Sequence, residues 1–229
     1  MSHNRSNPLA LAVLVCLSER PMHPYEVATT LRQRLKHRSV RLNYGALYRV
    51  VESLSKRGLI EPTETERAGR LPERTIYALT GAGRIEINDW LAELISTPTT
   101  EYTQFVAGLS FLASLPPEQA VALLKQRFTQ LTLEDAQAGA TREILQKHGL
   151  PRLLWLEEEY RDRVRAAELD YVRSLVRDIE SGDLDGTEWW RAVHERGFDN
   201  VPPPFDPDQI LGLRQQLERI VPDIEEDEP

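Results

Sequence analysis

Forty residues, Arg41 to Thr80, constrain this chain more than any other stretch. Leu47, Val50, Val51 and Leu54 recur at three- and four-residue steps, which places them on one face of a helix. Gly45, Arg49, Glu52 and Lys56 fall on the opposite face, roughly 180° away at ~100° per residue. Arg57-Gly58 stops that helix, because glycine accepts the left-handed conformation of a C-cap. Leu59-Ile60-Glu61 opens a strand, and Thr75 to Leu79, rich in β-formers, returns as its partner. Between them Glu64 to Pro72 makes a polar loop carrying Arg67, Gly69 and Arg70. A helix with one dry face followed at once by a hairpin with a basic tip is the layout of a winged helix-turn-helix.

The residues around this stretch complete such a unit. Asn7-Pro8 suits a helix start, since asparagine caps and proline fits the first turn. The helix from there to about Ser18 is almost wholly apolar and is expected at the centre of a core. Its one cysteine, Cys16, is the only cysteine of the chain, so no internal disulfide is possible. No small-residue cleavage site follows this apolar run, so it reads as a helix rather than a secretion signal. A second helix is expected from Pro24 to about Lys36, with Tyr25, Val27, Ala28 and Leu31 facing inward and Arg32, Arg34, Lys36 and Arg38 outward. Thr80 is expected to cap a further helix carrying Ile85, Ile87, Trp90, Leu91 and Leu94.

Charge argues in the same direction once it is divided along the chain. The net charge is −8, which by itself speaks against nucleic acid. Residues 1–60, however, hold ten Lys/Arg against three acids, +7 locally, and residues 1–95 sum to +4, leaving −12 for the remainder. That asymmetry suggests a basic binding module joined to an acidic partner domain.

Thr97 to Thr100 is the expected boundary, giving a winged domain over 1–96, a helical domain over 97–181 and an extension over 182–229. In the helical domain a helix is expected from about Glu101 to Leu115, then long helices over 117–147 and 151–181. The last carries two apolar stripes, Tyr160-Val164-Ala167-Tyr171-Leu175 and Leu169-Val172-Val176-Ile179. Two long helices cannot hide faces that broad, so a partner chain is the economical explanation. In the extension, Trp189-Trp190 begins a short helix. Pro207 to about Val221 reads as a last amphipathic helix, and the acidic end is expected to be disordered. No run of ~18 apolar residues is present, so no membrane span is expected, and a reducing, cytoplasmic home fits.

These residues resemble the PadR family of bacterial transcription regulators. The likeness lies in LALAVLVCLSERPMHPYEV (residues 9–27), YGALYRVVESLSKRGLIEP (44–62) and RTIYALTGAG (74–83), which together cover residues 9–95. It includes the Leu47-Tyr48 pair, the Gly58-Leu59-Ile60 exit and the Tyr77, Leu79, Thr80, Gly83 pattern. Pro24 departs from it, standing where many members have glycine, and the tail after Ser181 has no counterpart. The C-terminal region is similar in pattern to larger members, which carry a helical dimerisation domain. The resemblance implies a mainly α fold, an N-terminal winged helix-turn-helix with a small β-hairpin wing, and a homodimer.

A helix fits the B-DNA major groove and meets base edges with its amino end. Asn43, Tyr44, Gly45, Tyr48 and Arg49 occupy that end. Asn43 can pair with adenine and Arg49 with guanine. Gly45 lets the backbone approach, and Tyr48 offers a hydroxyl to phosphate while its ring packs inward. Arg41 and Lys56 are expected phosphate contacts; Arg67, Arg70 and Arg74 would reach DNA from the wing. For Arg34, Lys36 and Arg38 an exposed charged helix end is as good a reading. Two such units on half-sites ~34 Å apart would read a palindromic operator, as a repressor would.

The five histidines are scattered without ligand spacing, and one cysteine makes a structural zinc improbable, so no metal and no cofactor is expected. No phosphate loop, nucleophile elbow or metalloprotease helix is present, which argues against an enzyme. A small aromatic or hydrophobic effector is a live expectation, with Trp90, Phe105 or Trp155 near its site and core packing as the alternative for each. A helical protein–protein adaptor that retains the winged scaffold is the rival reading, kept open by the acidic half and the double-Trp tail.

Overall fold

A computed structural model describes residues 5, 7–66, 74–206, 212, 213 and 216. Most of the expected helix over 207–221, the acidic end and the wing tip with Arg67 and Arg70 lie outside these described residues. The chain divides into two compact units, Met1–Glu101 and Tyr102–Pro229.

The first unit is built around helix α1, Pro8–Glu19. Asn7 caps it, its side chain accepting from the Leu9 amide at 3.1 Å, and Leu9, Val13, Leu14, Cys16 and Leu17 are all buried. Burial pushes the Cys16 thiol up to about 11, the behaviour of an unreactive core residue. Helix α2, Pro24–Gln33, opens with a capping box in which His23 Nδ1 accepts from the Tyr25 amide and Glu26 accepts from the His23 amide. It ends three residues earlier than expected. Leu35 takes a left-handed conformation, φ 59°, and a single 3-10 turn over Lys36–Arg38 follows. Left-handed backbone cannot continue a right-handed helix, so α2 does not run on to Lys36, although the β-carbon makes that conformation costly at leucine.

Helix α3, Tyr44–Lys56, buries Leu47, Val50, Val51 and Leu54 against the α1 core. Gly58, at φ 69°, turns the chain into strand β1, Ile60–Glu66, which pairs antiparallel with β2, Arg74–Leu79. Ile60 faces Leu79 and Glu66 faces Arg74, with a bulge between Pro62 and Glu64, where proline offers no ladder donor. A third edge was not foreseen. Met22 bridges Tyr77 by a reciprocal amide–carbonyl pair at 3.0 and 3.1 Å, which ties the α1–α2 turn to the hairpin.

Helix α4, Gly81–Ser96, is capped by Thr80 as the sequence indicates. The Thr80 hydroxyl lies 2.8 and 3.0 Å from the Gly58 and Leu59 carbonyls and accepts from the Gly83 amide at 3.1 Å. Ile87 and Trp90 enter the core, whereas Ile85, Leu91 and Leu94 are exposed within the chain. Glu86 holds this helix to the rest. Its carboxylate meets Arg57 at 2.9 Å and Arg5 at 3.1 Å. Burial pushes that carboxyl up, and the hydrogen bonds and charges of Arg5 and Arg57 outweigh burial, so it titrates below its ordinary value.

In the second unit the helix expected to about Leu115 breaks after one short helix, α5, Gln104–Ser110, and becomes a 3-10 turn over Leu112–Ser114. Helices α6, Pro117–Lys147, and α7, Leu156–Ser181, form the long pair. A 3-10 turn over Arg152–Trp155 replaces the start expected for the second of these. Ala120 and Leu124 of α6 pack with Val172, Val176 and Ile179 of α7. Helix α8, Thr187–Arg196, adds Trp190 and Val193 to the same core, so this part of the extension is built into the second unit. Trp190 donates to the Leu115 carbonyl at 2.8 Å and a His194 ring nitrogen lies 2.9 Å from that of Ala113. Of the two α7 stripes, the one with Val172, Val176 and Ile179 is buried. Tyr160, Val164 and Tyr171 of the other remain exposed.

Candidate nucleic-acid interface

The face of α3 turned away from the core presents Gly45, Tyr48, Arg49 and Glu52, all exposed. Asn43 stands at its amino end as the N-cap. Its Oδ1 accepts from the Gly45 amide at 2.8 Å and from the Ala46 amide at 3.3 Å. That oxygen is therefore spent on the helix, which leaves the amide nitrogen as the group free to meet a base. Gly45 has ordinary helical backbone, and an added β-carbon would meet only Asn43 Oδ1, at 3.4 Å. The fold itself does not require glycine there, which suits a position kept open for an approaching partner.

Tyr48 was expected to pack its ring inward. Instead the residue is 50% exposed, while the buried Leu47 and Val51 fill the core beneath α3. Among the described residues Arg49 reaches its own helix alone, Nε to the Gly45 carbonyl at 3.4 Å. Arg41 is exposed and, among the described residues, makes no ion pair. Lys56 pairs with Glu52 one turn away at 2.7 Å on an exposed surface, where such pairs contribute little. Arg34 is held by Glu19 in a two-point contact, 2.7 Å between Nη2 and Oε2, so its charge is compensated within the fold. Arg74 opens β2.

Tyr44 brought in two residues that the sequence had placed elsewhere. Tyr25, expected in the core, is 54% exposed and lies parallel to Tyr44, with ring centroids 6.3 Å apart and planes 11° apart. Arg32 lies over the Tyr44 ring, its Cζ 4.6 Å from the centroid, and donates to the Tyr44 hydroxyl. Helical periodicity does place Tyr25 beside Ala28 and Thr29, but it does not reveal that α3 turns Tyr44 towards it from another element.

The aromatic residues considered for an effector belong to different units. Trp90 is 1% exposed in the core of the first unit, and its indole N–H is buried without an acceptor. In the second unit Phe105 is covered by Arg127, whose Cζ sits 3.8 Å from the ring centroid. Trp155, 9% exposed, donates to the Leu150 carbonyl at 3.3 Å. Asp135, Arg142, Glu159 and Asp162 lie around it. The hydrogen bonds of Arg152, then of Arg163, hold the Glu159 carboxyl down to about 2. Among the described residues no group of three or more His, Cys, Asp or Glu is placed to hold a metal, and no helix is long and apolar enough to cross a membrane.

Residues 13–89, which run from within α1 through α2, α3 and the hairpin strands into α4, match the transcriptional regulator PadR-like family. The chain carries a PadR-like domain. The negative transcriptional regulator PadR of Bacillus subtilis is 25% identical over 133 residues, 57% of this chain and 72% of the relative. The crystal structure of that PadR with operator DNA superposes with a TM-score of 0.61 at 20% identity, covering 73% of this chain and 95% of the other. The structure with p-coumaric acid gives 0.61 at 19% identity, covering 75% and 98%. At those identities the superpositions establish a shared fold. The family matched over these residues is one of transcriptional regulators, and the Bacillus subtilis relative is a negative transcriptional regulator.

Proposed function

We propose that the chain is a sequence-specific transcriptional repressor that binds a palindromic operator as a homodimer, with the amino end of α3 in the major groove. The observation that carries this reading is electrostatic. Arg34 and Arg57 are compensated by Glu19 and Glu86, while Arg41 and Arg49, which flank the start of α3, make no ion pair among the described residues. Uncompensated guanidinium groups around an exposed helix end match a phosphate backbone and guanine edges. The exposed Tyr160, Val164 and Tyr171 stripe supports pairing of two copies, because a monomer would leave it in water. The operator-bound relative supports the choice of duplex DNA, and the p-coumaric acid complex supports a small aromatic effector for this chain too. Cytoplasmic residence follows from that role.

Binding to a duplex carrying the region upstream of the protein's own gene, followed by fluorescence anisotropy between 50 and 200 mM salt, tests it. Six to ten phosphate contacts per complex would cost roughly 10³–10⁵ in affinity over that range. Light scattering should give twice the chain mass. Salt-independent binding, or equal affinity for a scrambled duplex, would refute sequence-specific recognition; a monomer at micromolar concentration would refute the symmetric pair.

A further inference from the structure

Arg32 and Tyr25 belong to α2 and lie outside the recognition helix. We propose that Arg32 is a further DNA-contacting residue, a phosphate-binding guanidinium held at the amino end of α3 by the Tyr25–Tyr44 ring pair; this rests on the placement of α3 against DNA given above.

Three observations converge on it. The charge of Arg32 is unspent: among the described residues it meets no carboxylate, unlike Arg34 with Glu19 and Arg57 with Glu86. Its position is fixed nonetheless. The guanidinium lies over the Tyr44 ring, 4.6 Å from the centroid, and donates one N–H to the Tyr44 hydroxyl. A guanidinium has five such donors, so the others stay available to an oxyanion. Tyr44 is fixed in turn by the parallel ring of Tyr25, 6.3 Å away.

All three residues are exposed, so the stack is not core packing. An exposed arginine ordinarily samples many rotamers, and ordering it on binding costs entropy. Here two aromatic rings remove much of that cost before DNA arrives. The geometry suits a phosphate diester, whose oxygens match the planar fork and whose charge the protein leaves unanswered. A phosphate contact positions the protein and carries no sequence information. Arg32 therefore adds affinity on any duplex, whereas Arg49 adds discrimination.

The test uses the full chain, a fluorescent duplex from the region upstream of its own gene, and a scrambled duplex of equal length. Arg32→Ala should weaken both complexes by a similar factor. It should also reduce the slope of log affinity against log salt by about 0.9 per protomer, roughly 1.8 for a pair. Arg32→Lys should keep the slope and lose part of the affinity, because an ammonium cannot lie flat on the ring and present a fork. Tyr25→Ala should also keep the slope while weakening binding. Circular dichroism confirms that each variant is folded, and Arg32→Lys preserves the charge if Arg32→Ala does not fold.

If Arg32→Ala leaves slope and affinity unchanged while Arg49→Ala weakens binding, this proposal falls and the α3 reading stands. Loss confined to the upstream duplex would also overturn it, by making Arg32 a base contact. If the unsubstituted chain shows no salt-dependent binding to either duplex, both readings fall.

Discussion

Replacing Gly83 with alanine should destabilise the winged unit, and replacing Gly81, two residues earlier in the same helical turn, should not. A β-carbon on Gly83 would sit 2.1 Å from the Leu59 carbonyl oxygen and 2.6 Å from Leu79 Cδ1, more than an ångström inside ordinary contact for the first. The leucine tip can swing away, but the carbonyl cannot. It accepts the Thr80 amide at 3.1 Å and faces the Thr80 hydroxyl at 3.0 Å, at the point where both strands and α4 converge. Overpacking costs about 1–3 kcal/mol, and weakening two hydrogen bonds adds about 1 kcal/mol each. Alanine's better helix propensity returns about 1 kcal/mol. The balance is a loss of about 2–4 kcal/mol, equivalent to roughly 10–30 °C in Tm for a domain near 100 residues. A β-carbon on Gly81 meets nothing within 4 Å, so that variant should gain up to about 1 kcal/mol. Thermal unfolding of the full chain measures both. Hydrogen exchange at residues 59–60 and 79–84 assigns the change to the right unit. Equal stability of the two variants would refute the close-approach argument.

Three further outcomes follow from the same contacts. Asn43→Ala should cost about 1 kcal/mol by removing the cap of α3, whereas Asn43→Ser should fold normally and lose preference at one base that offers an acceptor to the amide nitrogen. A serine variant with unaltered sequence preference would make Asn43 a cap and nothing more. Glu86 titrates below its ordinary value of about 4.5, so its bridge to Arg5 and Arg57 stabilises the folded state above that pH and is lost as pH falls through the lower, folded value. Glu86→Gln should therefore show a shallower decline in stability below pH 4.5 than the parent in acid titration; identical slopes would remove Glu86 from the account. Trp190→Ala should destabilise the second unit by about 3–5 kcal/mol, read by chemical denaturation, since the ring is buried against α6 and α7. A change below 1 kcal/mol would mean that α8 docks without supporting that core.

The parts that could be read in advance are those fixed by local rules. The Asn7 and Thr80 caps, the dry face of α3, the Gly58 exit and the hairpin all follow from residue types a few positions apart. The misplacements share one cause. Tyr25 satisfies the inward spacing of α2, yet its surroundings come from α3, nineteen residues on, and it stacks on Tyr44 at the surface. The early end of α2 arises from the left-handed Leu35, a backbone choice that leucine does not announce. Trp189-Trp190 was visible as a helix start, but the hydrogen bond from Trp190 to Leu115 spans 75 residues and no periodicity reports it.

Alone, the order of residue types determined that this chain carries a winged helix with a cationic amino-terminal half and a helical acidic one, because hydrophobic spacing, caps and charge counts are short-range properties. Only the tertiary structure decided which cations are free. Arg34 and Arg32 are two residues apart at the end of α2, and folding brings a carboxylate to the first and an aromatic ring to the second. Pairing across distant elements follows from packing geometry, and that geometry leaves Arg32, Arg41 and Arg49 without an ion pair among the described residues around the start of α3.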